Sequence, residues 1–492
     1  MIGSEHGVVA AGHPLTAAVG ADVLRDGGNA VDAAVAAMLA SFVTEPLLTG
    51  LGGGGYMLVA GAGAEPVLLD FFVEAPGREA GTEPQTAMGP YDVDFGDAVQ
   101  TFHVGAASCG VFGAPAGVCA ANDRFGTRPL AELVAPAAQL ARDGVALNFE
   151  QAYVLRILED LLTSTIEGAA LWMPGGRHLR EGDIVRNAEL ADALERLGRE
   201  GAEPFYRGDV AAAVADWVAA HGGTLGRADL AAYEAIFRPP VRVGYRGREV
   251  LTNPPPSAGG TLLAYSLSLL DRVPSPPDPL QIVEAMASAQ TERTPEFVEG
   301  LIEDGFLERF LADRLGSTTH ISVMDGDGLA CSVTTTLGQG SAMVVPGTGL
   351  HLNNMMGEAD LNPLGFHRHP PGRRMPSMMA PTIVLAGDRV ELVLGSAGSN
   401  RIRSALLQTI VGVLDHGLPA DAAVRAPRMH FEDGRVYVEP GTDGERLAAA
   451  GYPLTSFRGP NLFFGGVQAV QRHGEMVVGA GDPRRGGVAV AA

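Results

Sequence analysis

The densest chemistry in this chain lies at Ser317-Thr318-Thr319-His320-Ile321-Ser322-Val323-Met324-Asp325. A threonine hydroxyl is a poor nucleophile unless a base lies beside it. A free α-amino group on the same residue can be that base. Its reference pKa is about 7.7–8.0, so much of it is uncharged near neutral pH and can accept the hydroxyl proton. In an uncut chain that nitrogen is an amide with no useful basicity. Breaking the bond between Ser317 and Thr318 would therefore switch a nucleophile on.

The neighbouring residues say how such a threonine would be held. Positions 318–324 alternate and are β-branched, Asp325-Gly326-Asp327-Gly328 carries turn chemistry, and 329–336 reads as a return strand. Thr318 would open the first strand of a hairpin, with Thr334, Thr335 and Thr336 on its partner. A hydroxyl there can hydrogen-bond back to Thr318 and orient it. Arg314-Leu315-Gly316-Ser317 reads as the end of an exposed connector.

Six further blocks occur in one order along the chain. They are Gly27-Gly28-Asn29-Ala30-Val31-Asp32-Ala33-Ala34, Glu45-Pro46-Leu47-Leu48-Thr49-Gly50-Leu51-Gly52-Gly53-Gly54-Gly55, and Asn253-Pro254-Pro255-Pro256-Ser257-Ala258-Gly259-Gly260. After the threonine come Gly349-Leu350-His351-Leu352-Asn353-Asn354, Met379-Ala380-Pro381-Thr382-Ile383-Val384, and Gly395-Ser396-Ala397-Gly398-Ser399-Asn400-Arg401. With Thr318, this set resembles the γ-glutamyltranspeptidase family of N-terminal-nucleophile hydrolases over nearly the whole chain. The resemblance implies an α/β fold, a four-layer αββα sandwich built jointly by two segments of one precursor. Residues 1–317 would form a large subunit and 318–492 a small one, and the two would stay associated after cleavage. The implied activity is that of a self-processing amidohydrolase or acyltransferase. It would act on a γ-glutamyl, glutathione-like amide through an acyl-Thr318 intermediate and pass the acyl group to water or an amine.

The same resemblance assigns roles residue by residue. Thr336 matches the threonine that supports the nucleophile, and Thr334 a second one. Backbone N–H groups at Gly398 and Ser399 would hold the oxyanion; the family usually has two glycines there, so Ser399 is a departure. The substrate clamp is altered further. Phe72 stands where the family has a carboxylate-gripping arginine, Gly338 replaces an asparagine, and Met355 replaces a polar residue after the Asn353-Asn354 pair. Glu358 replaces an aspartate and keeps its charge, while Pro376-Ser377 replaces a serine pair and keeps one hydroxyl at Ser377. Burying a carboxylate beside Phe72 would cost several kcal/mol unless another cation substitutes. Arg373, Arg374 and Arg401 are the candidates for that cation, with helix capping as the plainer role for Arg401. His367 and His369 lie in a loop that could reach the site or merely be solvated. Phe72 and Met355 make the expected pocket less polar, which favours an alternative activity: an acylase for glutaryl or another non-γ-glutamyl amide. A non-catalytic, metabolite-binding relative is the rival from another class, and retention of Thr318, His320, Thr336 and Gly398 argues against it.

Composition bounds the rest. Hydrophobic residues make up 46% of the 492, enough for a large core. The formal charge of −22 argues against nucleic acid as a partner. No apolar run approaches the roughly 18 residues of a membrane helix, and the first residues show no charged segment leading into an apolar stretch. Cys109, Cys119 and Cys331 cannot form a disulfide framework and have no metal-ligand spacing. These features predict a cytoplasmic enzyme needing no metal and no cofactor. Periodicity predicts two helices over 14–42 broken at Gly27-Gly28, and strands at 56–60 and 66–72. It further predicts helices within 129–165, 187–233 and 260–315, a strand at 241–251 with a turn at Gly244-Tyr245-Arg246-Gly247, and mostly strands after 318 with a helix at 401–416.

Overall fold

The computed structural model describes residues 2–79, 81, 83–94, 99–291, 318–362, 365–398 and 400–492. The connector 314–317 and Ser399 lie outside them, as does 292–315 of the expected helical stretch.

The N-terminal helices form as the pattern predicts, at Pro14–Arg25 and Ala30–Thr44. The second starts where it does because Asn29 accepts from the Val31 and Asp32 N–H groups while Asp32 reaches back to the Asn29 N–H. Asp32 also accepts from the Thr127 N–H at 2.9 Å. The Gly-Gly-Asn-Ala-Val-Asp block is thus a cap and a staple. Every residue of Ala30–Thr44 is buried, which explains a helix that is apolar on all sides.

Two antiparallel sheets of seven strands dominate the described residues. In the first the order is Val488–Ala491, Gly7–Ala11, Thr319–Asp325, Leu329–Thr336, Gly54–Gly61, Ala64–Phe71 and Ile236–Arg238. In the second it is Ile2–Ser4, Met476–Gly481, Gly466–His473, Arg389–Ala397, Thr382–Ala386, Arg248–Thr252 and Val241–Tyr245. The strand and turn expected at 241–251 form a hairpin, turned at Tyr245-Arg246-Gly247-Arg248. A hairpin of Gly89–Asp94 with Val99–Val104 has no counterpart in the sequence reading.

Side-chain alternation divides the core into layers. Ile321, Val323, Cys331 and Val333 point from the first sheet into a cluster with Val31, Val35 and Leu39 of the N-terminal helices. Met324, Ala330, Tyr56 and Leu58, on the other face, meet Leu251, Ile383, Val393 and Val470 of the second sheet. The far face of the second sheet, through Val384, Leu392 and Leu394, packs on the helices Ala258–Leu270 and Arg401–Leu414. No helix among the described residues is long and apolar enough to cross a membrane.

Candidate active site

The hairpin at Thr318 forms as the turn chemistry requires. Thr319 pairs with Thr335, His320 with Thr334 and Ile321 with Val333. One step further along this register sets Thr318 across from Thr336. Thr318, His320, Ser322 and Met324 share a parity, and Met324 packs between the sheets. The nucleophile candidate thus belongs to the face turned toward the second sheet, whereas Thr319 and Thr335 belong to the helix side.

Each threonine on this hairpin has its own partner. Thr336 Oγ1 accepts from the Gly338 N–H at 2.8 Å. Thr334 Oγ1 lies 2.8 Å from His320 Nδ1, and His320 Nε2 lies 3.0 Å from Ser322 Oγ. His320 is buried, its imidazole is pushed down to about 3 by that burial, and it packs over Gly395 so closely that a Cβ there would meet the ring at 2.1 Å. Burial holds it neutral, as a joint between the sheets. Thr335 Oγ1 pairs with Thr49 Oγ1 at 3.0 Å, and Thr319 donates to Glu45 at 2.8 Å.

Thr318 is buried and lines a narrow cleft of about 30 Å³. Ala397 and Gln468 of the second sheet form one side and Arg484 and Arg485 another. The roof is the helix Phe149–Leu162, started by the Asn148 side chain on the Gln151 N–H. Its Gln151 and Val154 face Thr318, and Val154, Ile157 and Leu158, one helical face, cover an adjoining cleft floored by Gly338 and Gln339. Leu48, from the glycine-rich block, lines both. That block needs glycine because its backbone presses on the hairpin: a Cβ at Gly53 would sit 2.2 Å from the Thr336 carbonyl oxygen.

Several expected site residues gather near this end of the hairpin. Gly338 has φ +67°, and a Cβ there would meet Asn354 Oδ1 at 2.1 Å and Glu358 Oε1 at 2.2 Å. Asn354 Oδ1 accepts from the Gln339 N–H at 3.0 Å, and its Nδ2 is buried with no partner among the described residues. Asn353 is a staple: its Nδ2 donates to the Gly52 and Gly110 carbonyls, both at 2.9 Å. Gly398, φ +118°, follows Ala397, and its carbonyl accepts from the Arg401 N–H at 3.1 Å. Ser399, its expected companion, lies outside the described residues.

Other expected residues are elsewhere. Phe72 is 1% exposed, stacks on Tyr56 with ring centroids 5.5 Å apart, and shares the inter-sheet core with Met355, Met356, Met375 and Met379. Neither Phe72 nor Met355 lines the two clefts. Ser377 bridges to Ser257: its Oγ accepts from the Met379 N–H at 3.0 Å and its carbonyl accepts from Ser257 Oγ at 3.0 Å. Arg374 is taken up by the Phe72 carbonyl and the Tyr233 hydroxyl, both at 2.6 Å, with Asp70 and Glu74 alongside. Arg401 donates to the Phe463 carbonyl at 3.0 Å and lies over its ring. His369 Nε2 faces the Leu361 carbonyl at 3.2 Å. Arg373, His367 and His369 do not line the clefts either.

The roof helix, whose apolar face reads as ordinary core, escaped the sequence reading, as did Leu462, Gln468, Arg484 and Arg485 from the C-terminal part of the chain. No group of His, Cys, Asp and Glu suited to a metal occurs among the described residues.

Comparison with known proteins gives the following. A family model described as gamma-glutamyltranspeptidase matches residues 16–313 and 307–492. The chain is 32% identical to an acylase ACY 1 proenzyme of Pseudomonas sp. (strain SE83), over 94% of this chain and 89% of that one. It is also 32% identical to a glutathione hydrolase proenzyme of Escherichia coli (strain K12), over 87% and 81%. Its structure resembles that of a cephalosporin acylase from Bacillus halodurans with a TM-score of 0.83 and 26% identity, covering 100% of this chain and 96% of the other.

Proposed function

The chain belongs to the gamma-glutamyltranspeptidase family, a family of enzymes, and from that premise we propose that it is a self-processing amidohydrolase working through an acyl-Thr318 intermediate. The observation that carries the reading is the register that sets Thr318 opposite Thr336 at one end of a cleft. The three packed clusters support the four-layer αββα sandwich for both segments.

Processing comes first. Thr318 Oγ attacks the Ser317 carbonyl, the C–N bond breaks and the hydroxyl proton passes to the freed Thr318 amine, and water then hydrolyses the resulting ester to release the Ser317 carboxylate and restore the Thr318 hydroxyl. In turnover that amine takes the hydroxyl proton as Oγ attacks the substrate carbonyl. Thr336 fits a supporting role, because it stands across the hairpin from Thr318 and the Gly338 N–H fixes its Oγ1. Backbone N–H groups at the Gly398 turn would stabilise the tetrahedral oxyanion, with Ser399 as the second donor. The leaving amine departs with the proton, and water or an amine acceptor then takes the acyl group.

For the donor, the acylase reading has the stronger support. Phe72, at the family's carboxylate grip, and Met355, at a polar position of its substrate clamp, lie in an apolar core, while the narrow space beside Thr318 runs under Val154, Ile157 and Leu158. One observation favours a γ-glutamyl, glutathione-like donor: Glu358 and Asn354 close around Gly338, where an ammonium could be gripped. A cytoplasmic setting fits three free cysteines.

Intact mass and turnover of Thr318→Ala test the mechanism. The variant should remain one 50.9 kDa chain and be inactive, while the natural protein yields two fragments divided before Thr318. An uncut natural chain with full activity would sink the reading.

A further inference from the structure

The two clefts beside Thr318 meet at one guanidinium. Arg485 lines both, and it is the only charged side chain among the described residues lining the second. It is partly exposed. Its stem rests on the backbone of Gly466, where a Cβ would strike Arg485 Cδ at 2.6 Å. One terminal nitrogen donates to the Leu462 carbonyl at 3.2 Å, while Nε is buried with no partner among the described residues. Nor does any carboxylate of the described residues come within ion-pair distance of it. Its neighbours differ: Arg484 is bound to Glu439 and Asp482, and Arg428 to Asp482. Burial, and then Arg401, lower the Arg485 guanidinium to about 10, the mark of a cation that its surroundings under-neutralise.

We propose that Arg485 grips the carboxylate of the acyl donor. The donor class is then a short dicarboxylic half-amide, with its amide carbonyl at Thr318, its methylenes against Leu48 and Val154, and its far carboxylate on the guanidinium. This deepens the acyl-Thr318 reading and rests on it. Glu45 and Glu150 line the first cleft but not the second, so the second is the compartment suited to an anion. Glutaryl and γ-glutamyl groups carry this carboxylate at the same distance from the scissile carbonyl and differ only in the amine. The competing role is support of the oxyanion, since a Cβ on Gly398 would lie 3.4 Å from Arg485 Nη2.

The test compares kcat/KM for the p-nitroanilides of glutaric acid, of glutamate through its γ-carboxyl, and of pentanoic acid, a neutral chain of equal length. The natural protein should favour glutaryl over pentanoyl by about 10–150-fold, the range of a charge-assisted hydrogen bond. In Arg485→Met that ratio should collapse toward one, and Arg485→Lys should keep part of it. The γ-glutamyl arm shows whether the amine adds anything. A near-unit ratio in the natural protein, or an equal fall for charged and neutral donors in the variant, would overturn the proposal in favour of an oxyanion or structural role. Calorimetric binding of glutarate to the natural protein reads the subsite without turnover. Saturable binding that weakens in Arg485→Lys supports it, and absence of binding overturns it. Glutarate binding with none of the anilides cleaved would leave the subsite standing and refute the hydrolytic reading instead.

Discussion

Glu45 offers a quantitative check on the buried surroundings of Thr319. It ends the helix Ala30–Thr44 and is 2% exposed. One carboxyl oxygen accepts from Thr319, and the other has no partner among the described residues. Burial raises the carboxyl from 4.5 to about 7, against smaller opposing effects of the Thr319 bond and Arg485. Folded protein therefore holds a proton that the unfolded chain releases above pH 4.5. Its stabilising contribution is complete below that value and is lost as pH rises through about 7. At 1.36 kcal/mol per pH unit, the interval amounts to about 3 kcal/mol. Glu45→Gln keeps an acceptor for Thr319 and cannot ionise. Its unsatisfied N–H₂ adds a cost that does not vary with pH. Urea unfolding of Thr318→Ala chains with and without Glu45→Gln should thus show a gap that opens by about 3 kcal/mol in favour of glutamine between about pH 4.5 and pH 8. Parallel pH curves would mean that Glu45 ionises normally and that the carboxyl is solvated in the folded protein.

Thr336→Ala should slow kcat by about 10–1,000-fold and leave the melting temperature within a few degrees, because one orienting hydrogen bond is lost; an unchanged rate would reduce Thr336 to a strand residue. Phe72→Arg, which on sequence alone would restore a carboxylate grip, should instead destabilise the chain by about 3–5 kcal/mol through loss of the ring stacked on Tyr56. A stable variant with a stronger preference for γ-glutamyl over glutaryl anilides would show that position 72 faces the donor.

What the sequence discloses depends on whether a residue's partner is near in the chain. The break between the first two helices, the turn at 325–328 and the hairpin that it closes follow from local chemistry and from a period of two, and all are present. Matching of motifs also brings Glu358 and Asn354 to Gly338. Phe72 is the contrasting case. A position can keep its place in a motif while its side chain turns into the inter-sheet core, and only three-dimensional packing against Met355 and Tyr56 reveals that. Arg485 is the converse case. It stands 167 positions beyond Thr318, in a short Pro483–Arg485 turn with no local sign of function, and reaches the cleft only because the adjacent strand Met476–Gly481 pairs with Gly466–His473.

The first sheet alternates between the two proposed segments: Val488–Ala491 lies beside Gly7–Ala11, then the Thr318 hairpin, then Gly54–Gly61. The scissors can therefore be assembled only after strands from both ends of the chain have found their places around them. A cut before Thr318 would act as a receipt that assembly has taken place, written once and not erased by later damage. On a denaturing gel, the fraction of cut chains made by any variant would count the molecules that ever reached the native arrangement, whereas activity would count those still in it. The ratio of the two would separate variants that fold poorly from variants that fold and then fail.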